Sequence, residues 1–208
     1  GDICTRSCKF CNTQTGRPLP LDPDEPTHVA ESIALMKLSH AVITSVDRDD
    51  LPDLGAAHWA QTIREIKRLN PETTTEVLIP DFQGRKELVD QVIKACPEII
   101  SHNMETVIRQ IAESGITAKS GIMVGLGETP AEVEELMDDL ISVGCKILTI
   151  GQYLQPTHKH FPVAAYITPE QFAVYKETGL KKGFEQVESA PLVRSSYHAE
   201  KHIRFNNK

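Results

Sequence analysis

Continuous apolar runs that alternate with helical patterns are the feature that most restricts the fold of this chain. The runs are rich in β-branched residues and cover residues 40–46, 75–80, 98–101, 118–124 and 146–152. Uninterrupted apolar runs are typical of strands that are buried on both faces of a parallel sheet. The alternation therefore predicts an α/β fold with parallel strands. In such folds we expect the chemistry on the loops that follow the strands.

The helical patterns between the runs have recognisable start and stop signals. Thr129 and Glu132 are spaced as a capping box around Pro130, which predicts a helix start. Thr168 begins a second segment of the same kind, and Gly183 is expected to end it. Another helix is predicted over residues 57–69, where apolar residues recur at helical spacing.

Composition and charge narrow the class of protein. Lys and Arg total 22 against 29 Asp and Glu, which gives a formal net charge of −7. This balance argues against a nucleic-acid-binding surface. No apolar run approaches the roughly 18 residues of a membrane-spanning helix, and the first residues do not resemble a signal peptide. We expect a cytoplasmic protein with a single domain over residues 1–208, in which residues 185–208 form a C-terminal extension.

Three of the five cysteines, Cys4, Cys8 and Cys11, lie within eight residues of one another. Their spacing allows an iron–sulfur cluster with one open iron, a zinc site with a fourth ligand, or a redox dithiol formed by the last two. The cluster is favoured because no fourth zinc ligand is near and the dithiol leaves Cys4 unexplained. Cys96 and Cys145 are interpreted as buried small apolar residues.

Longer motifs carry a family resemblance. The cysteine spacing, with the aromatic Phe10 before the last cysteine, resembles the signature of the radical S-adenosylmethionine (SAM) superfamily. Six stretches that cover nearly the whole chain in order are similar to the lipoyl synthase family: CKFCNTQTGRPLPLDPDEP, TSVDRDDLPDLGAAHWA, HNMETV, KSGIMVGLGE, TIGQYLQPTHKH and PLVRSSYHAE. The resemblance implies a partial (β/α)6 radical SAM barrel of parallel strands.

The resemblance also implies an activity. Enzymes of this family insert two sulfur atoms, at C6 and C8 of an octanoyl chain carried on a lysine of a lipoyl domain. Cys4, Cys8 and Cys11 would hold a 4Fe–4S cluster that binds SAM and cleaves it reductively. A second 4Fe–4S cluster, the sulfur source, would take Ser196 as a ligand, with Ser195 as the alternative. The three upstream cysteines that complete this second site are not part of the chain.

Further residues are expected to contact SAM by the same resemblance. They are Thr44, Ser45 and Asp47 for its amino and carboxylate groups, Asn103 and Glu105 for the ribose, Gly125 and Gly127 for the adenine, and Lys119 with Arg17 and Arg48 for the SAM carboxylate or the substrate amide. His158 and His160 are interpreted as residues of a solvated loop. The chain also lacks a family segment after Val107.

The expected partners are octanoylated lipoyl carrier domains, either the glycine cleavage H protein or the E2 domains of 2-oxoacid dehydrogenases. An electron donor such as flavodoxin or ferredoxin is expected as well, but no nucleic acid and no membrane. Two other functions stay open on the residues alone. One is a radical SAM enzyme with a single cluster that only abstracts hydrogen, and the other is a non-enzymatic zinc-binding module.

Overall fold

The structure is a computed structural model that describes residues 1–103 and 105–203, without the side chains of Glu105 and Ile203. Its strands are β1 (Ile3–Cys4), β2 (Gln14–Thr15), β3 (His40–Thr44), β4 (Thr74–Leu78), β5 (Ile99–Ser101), β6 (Thr117–Val124), β7 (Ile147–Gln152) and β8 (Gln186–Ser189). Its helices are α1 (Glu25–Met36), α2 (Ala56–Leu69), α3 (Lys86–Ile93), α4 (Glu105–Glu113), α5 (Pro130–Ser142) and α6 (Pro169–Lys182). Short 3₁₀ helices cover Phe82–Gly84 and Ala199–Ile203.

In the described residues, strands β3 to β8 form a six-stranded sheet whose order follows the chain. The pairs β3–β4, β6–β7 and β7–β8 are parallel. At the carboxyl ends, Thr44 of β3 lies opposite Leu78 of β4. The prediction of an α/β fold with parallel strands is confirmed.

Most of the predicted helices and strands are present, and two of the predicted helix-end signals are confirmed. The Thr129–Glu132 capping box forms at the start of α5, and Gly183 ends α6 in the left-handed conformation. Strand β8 had no signal, because Val187 is its only buried residue and polar neighbours flank it. It lies within the segment that we expected to be an extension, yet it belongs to the sheet.

The two solitary cysteines differ from each other. Cys145 is buried, and burial raises the pKa of its thiol to about 12, so it is an inert packing residue. The interpretation of Cys96 as buried is wrong, because its side chain is exposed. It follows the end of α3 at a φ of 57°, in a turn rather than on the apolar face of that helix.

The internal contacts of the chain divide it into two compact units. The first contains residues 1–7 and 13–100 and the C-terminal residues from 199 onward. The second contains residues 8–12 and 101–198. The single-domain interpretation stays a prediction. Within the described residues, no helix is long and apolar enough to cross a membrane.

Each unit has its own core. In the first, Ala30 and Ile33 of α1 and Ile66 of α2 form a buried cluster with Ala41 of β3. In the second, Phe172 and Tyr175 of α6 are buried and meet edge to face, with ring centroids 6.5 Å apart. These cores hold the strands whose carboxyl ends carry the residues described next.

Candidate functional site

Cys4 lies at the end of β1, in the first unit, with its side chain buried. Its sulfur accepts backbone N–H groups from Arg6 and Asp47, each at 3.4 Å. The thiol also donates to the Asp47 carboxylate at 3.7 Å. Backbone N–H groups directed at sulfur stabilise a thiolate and are one of the ways in which proteins tune iron–sulfur sites. The same two N–H groups are placed to donate to the sulfur of a cysteine that would ligate a cluster.

Arg6 is the centre of a charged network that sequence reasoning missed. Its guanidinium makes two bonds to Asp49, at 2.7 and 2.8 Å, and two to Asp81, both at 2.7 Å. Asp47 lies 3.7 Å from the same group. Such bidentate pairs have both high strength and strict geometry. They connect the cysteine loop, residues 4–11, to the segments that follow β3 and β4.

The carboxylates around Arg6 differ in their acid–base behaviour. The hydrogen bond from Arg6 is the main reason that the pKa of Asp49 lies below its usual value. Burial is the main cause that raises the pKa of Asp47, and the charge of Arg6 opposes that rise. Asp49 is therefore held as a carboxylate by its partner, whereas the charged form of Asp47 is disfavoured by its surroundings. The Asp47–Asp50 charge run was the only signal in the sequence for this network.

Thr44 ends β3 and Ser45 follows it, and both residues line a cavity of the first unit. The indole nitrogen of Trp59 donates to the Ser45 hydroxyl at 3.1 Å and fixes that side chain at the rim. Arg48 lines the same cavity but is paired with Asp50, at 2.9 Å. The SAM contacts predicted for Thr44, Ser45 and Asp47 stay predictions, supported by the position of these residues at the carboxyl end of a parallel strand.

Cys8 and Cys11 belong to the second unit and form an exposed turn, in which the Cys11 N–H donates to the Cys8 carbonyl at 3.1 Å. The ring of His160 holds this turn: Nε2 lies 3.0 Å from the Cys11 carbonyl, and Nδ1 lies 2.8 Å from the Thr157 hydroxyl. The Phe161 N–H donates to the Lys9 carbonyl at 2.8 Å. The interpretation of His160 as a solvated loop residue missed this contact, and only its place after β7 could have indicated it.

Gly125 and Gly127 lie in a turn after β6, with φ values of 98° and 120°. A Cβ atom at Gly125 would clash with the Gln152 amide and the Ala165 carbonyl, so only glycine fits there. The Glu128 carboxylate accepts the N–H groups of Gly125 and, at 2.9 Å, of Leu126. The turn is thus rigid and brings bare backbone to the carboxyl end of β6. Contact with adenine stays a prediction.

The remaining predicted residues of the second unit lie on the sheet or in the C-terminal loop. Asn103 accepts the Gly121 N–H through its Oδ1 at 3.2 Å. Lys119 is buried in β6 and donates through Nζ to the Ser195 carbonyl at 2.6 Å. Ser196 is exposed. The side chain of Glu105 lies outside the described part of the chain.

The structure does not gather the predicted cluster ligands into one group. Within residues 1–103 and 105–203, no three His, Cys, Asp or Glu side chains are arranged to hold a metal ion. Cys4 belongs to one unit, and Cys8 and Cys11 belong to the other. The donor set nevertheless fits an iron–sulfur cluster, because three soft thiols are available and one already accepts two N–H groups. Ser196 is the residue expected at a second cluster, and that role stays a prediction.

Comparisons with known proteins identify the class. The family model of the radical SAM superfamily matches residues 1–107, so the chain belongs to that superfamily. A solved methylornithine synthase has the same fold, with a TM-score of 0.62 at 10% identity; the match covers 94% of this chain and 71% of that one.

Curated relatives narrow the family. A lipoyl synthase from Bacteroides fragilis is 92% identical, covering 100% of this chain and 79% of the relative. Those from Phocaeicola vulgatus and Treponema denticola are 76% and 55% identical, covering 99% and 98% of this chain and 79% and 77% of the relatives. The chain therefore belongs to the lipoyl synthase family, whose cofactors are 4Fe–4S clusters and SAM.

The comparison also bears on the missing internal segment. The alignment with the Bacteroides fragilis relative runs over 227 residues, more than the 208 of this chain. That relative therefore has residues inside the aligned region for which this chain has no counterpart. The expectation that an internal family segment is lacking agrees with this finding.

Proposed function

We propose that this chain catalyses the sulfur-insertion reaction of a lipoyl synthase, with Cys4, Cys8 and Cys11 as the ligands of the SAM-binding cluster. Family membership supports the reaction. The observation that carries the ligand assignment is the sulfur of Cys4, which accepts two backbone N–H groups at the end of a short strand. When bound, the cluster and SAM supply a carbon radical that takes hydrogen from an unactivated carbon, and a second cluster supplies sulfur.

The residues of this chain prepare the site. Arg6 holds the Cys4 end of the loop through Asp49 and Asp81, so the thiol keeps its position before any cofactor arrives. His160 does the same for the Cys8–Cys11 turn through a backbone carbonyl. Fixed ligand positions reduce the entropy that is lost when the cofactor binds.

The SAM-binding roles are proposals of the same kind. Thr44 and Ser45 stand at the rim of a cavity that begins where β3 ends, with short polar side chains suited to the amino and carboxylate groups. In the other unit, the Gly125 turn offers backbone without side chains, which suits close approach of a flat ring. Asn103, Glu105 and Gly127 complete the set proposed for SAM.

The substrate is an octanoyl chain on a lipoyl carrier protein. We assign the glycine cleavage H protein or an E2 lipoyl domain as the carrier, and flavodoxin or ferredoxin as the electron donor. The net charge of −7 supplies no general attraction for acidic carriers, so recognition depends on local contacts. We place the reaction in the cytoplasm.

Anaerobic reconstitution with iron and sulfide tests the ligand assignment. About four irons per chain are expected, as one 4Fe–4S cluster requires. Replacing Cys4, Cys8 and Cys11 together by Ala should abolish that iron, whereas Cys96→Ala, the matched control on an exposed cysteine, should leave it unchanged. Undiminished iron in the triple variant, or zinc in place of iron, would contradict the assignment.

The reaction itself needs a second measurement. Reduced, reconstituted chain should release 5′-deoxyadenosine from SAM, and an octanoyl-lysine peptide should then be analysed for sulfur by mass spectrometry. The same assay on a chain that carries the family's upstream cysteine segment supplies the ligands expected for the second, sulfur-donating cluster. A peptide that is desaturated without gaining sulfur, even with that segment, would favour a hydrogen-abstracting enzyme instead.

A further inference from the structure

A C-terminal loop is seated on the end of the sheet by backbone contacts. This loop, residues 191–196, is called the serine strap here. The Pro191 carbonyl accepts the Gln152 N–H at 3.1 Å, at the end of β7. The Val193 carbonyl lies over Gly151, where any Cβ atom would clash with it. Two successive residues of β7 therefore receive the start of the strap.

The far end of the strap is hydrogen-bonded to a buried lysine, Lys119. Lys119 is 1% exposed, and its ammonium donates to the Ser195 carbonyl at 2.6 Å. A short hydrogen bond from a charged donor is about twice as strong as one between neutral groups. The residue after this anchor, Ser196, is exposed. It lies inside a four-residue turn in which the Tyr197 N–H donates to the Arg194 carbonyl at 2.9 Å.

We infer that Lys119 is a positioning residue that fixes the serine strap, and with it Ser196, to strand β6 of the sheet. The inference rests on the proposed function only for the role of Ser196 as a ligand. It assigns Lys119 a task other than the expected contact with SAM or the substrate amide. Because the acceptor is a backbone carbonyl, the anchor does not depend on which side chain stands at position 195.

Hydrogen exchange of the cofactor-free chain tests the inference without relying on the reaction. In Lys119→Met the apolar stem remains and the donor is lost. The amides of residues 192–196, since Pro191 has none, should then exchange about tenfold faster, because a charge-assisted bond contributes enough stability for that change. Peptides from α5 should exchange as in the unsubstituted chain, which shows that the fold is intact.

Two control variants and one second variant of Lys119 sharpen the test. Lys146→Met removes an exposed lysine of the same unit, which pairs with Glu185 at 3.0 Å, and should leave the strap unchanged. Ser195→Ala keeps the carbonyl acceptor and should also keep slow exchange. Lys119→Gln, whose neutral and shorter side chain does not reach the carbonyl, should reproduce the effect of Lys119→Met and replaces it if that variant does not fold.

A second readout separates positioning from cofactor binding. In the chain reconstituted with iron and sulfide, Lys119→Met should bind SAM with the Kd of the unsubstituted chain, within about twofold. Unchanged exchange of residues 192–196 in both Lys119 variants would overturn the inference, whatever happens to SAM. Failure of the chain to bind a cluster would instead count against the proposed function and leave the exchange result valid.

Discussion

The two ends of the cysteine loop are held by different kinds of chemistry. At the Cys4 end, Arg6 makes four charged side-chain bonds to Asp49 and Asp81. At the other end, the His160 ring and the Phe161 N–H contact main-chain carbonyls, those of Cys11 and Lys9. The first arrangement demands particular residues at three positions. The second demands a particular side chain only at position 160, so we expect it to tolerate substitution better.

Loss of the Arg6 guanidinium should have the largest effect on the stability of the chain. Arg6→Ala leaves three carboxylates facing one another without a cation, and we expect a loss of about 2–3 kcal/mol in the free energy of unfolding. Denaturant titration measures it, and alkylation of Cys4 should become faster as the loop opens. Arg6→Lys should recover only part of the loss, because lysine cannot bridge two carboxylates bidentately. Equal stability of the Ala variant and the unsubstituted chain would refute the role of the network.

Removing one carboxylate charge should have a smaller effect. Asp81→Asn keeps the shape of the side chain, but its one remaining oxygen can accept only one of the two bonds from Arg6, and about 1–2 kcal/mol of unfolding free energy should be lost. Glu87→Gln is the control, since Glu87 pairs with Arg85 at 2.8 Å between two exposed side chains and such pairs contribute little. Thermal melts of both variants give the comparison; the network would be unimportant if the two behaved alike.

His160→Ala should lower the free energy of unfolding by less than Asp81→Asn does. It removes the hydrogen bonds of the ring to the Cys11 carbonyl and the Thr157 hydroxyl, and a loss of about 1 kcal/mol in the free energy of unfolding is expected. The exchange rate of amides in residues 8–11 should rise, while His158→Ala, which changes an exposed neighbour, should have no effect there. The comparison between the two ends would break down if His160→Ala destabilised the chain as much as Arg6→Ala.

The smallest expected effect is a change in how the stability of the chain depends on pH. The pKa of Asp49 is lowered chiefly by its hydrogen bond from Arg6, so the ionised form contributes stability above the unfolded pKa of about 3.9. That contribution is lost as the pH falls through the folded value, and the raised pKa of Asp47 partly offsets it. Arg6→Ala should therefore show a flatter dependence of Tm on pH below about pH 5. Parallel curves for the two proteins would contradict this.

The sequence predicted those features whose signal is local. Continuous apolar runs located β3 to β7, and the spacing of Thr129 and Glu132 located the start of α5, because each depends on neighbours in the chain. Strand β8 was missed since Val187 is buried by tertiary packing that no local pattern records. The cysteines were found by their spacing, and Asp49 only as part of a charge run.

The partners of the site residues could not be predicted. Arg6 and Asp81 lie 75 positions apart, and nothing in either segment indicates the other. His160 contacts Cys11 at a separation of 149 positions, in a loop without a distinctive pattern. Lys119 was singled out only through the family resemblance, as a contact to SAM or the substrate amide, and the partner found in the structure, the Ser195 carbonyl, lies 76 positions away.

These separations affect the order in which the chain can prepare its site. All three loop cysteines leave the ribosome before Asp49 and Asp81, which follow 43 and 75 positions after Arg6. Strands β3 and β4 must exist before the guanidinium has both of its partners, since closing such contacts depends on the intervening fold. During synthesis the thiols are thus exposed before they are fixed. A cofactor delivered early would meet a loose loop, and one delivered after β4 would meet an ordered Cys4.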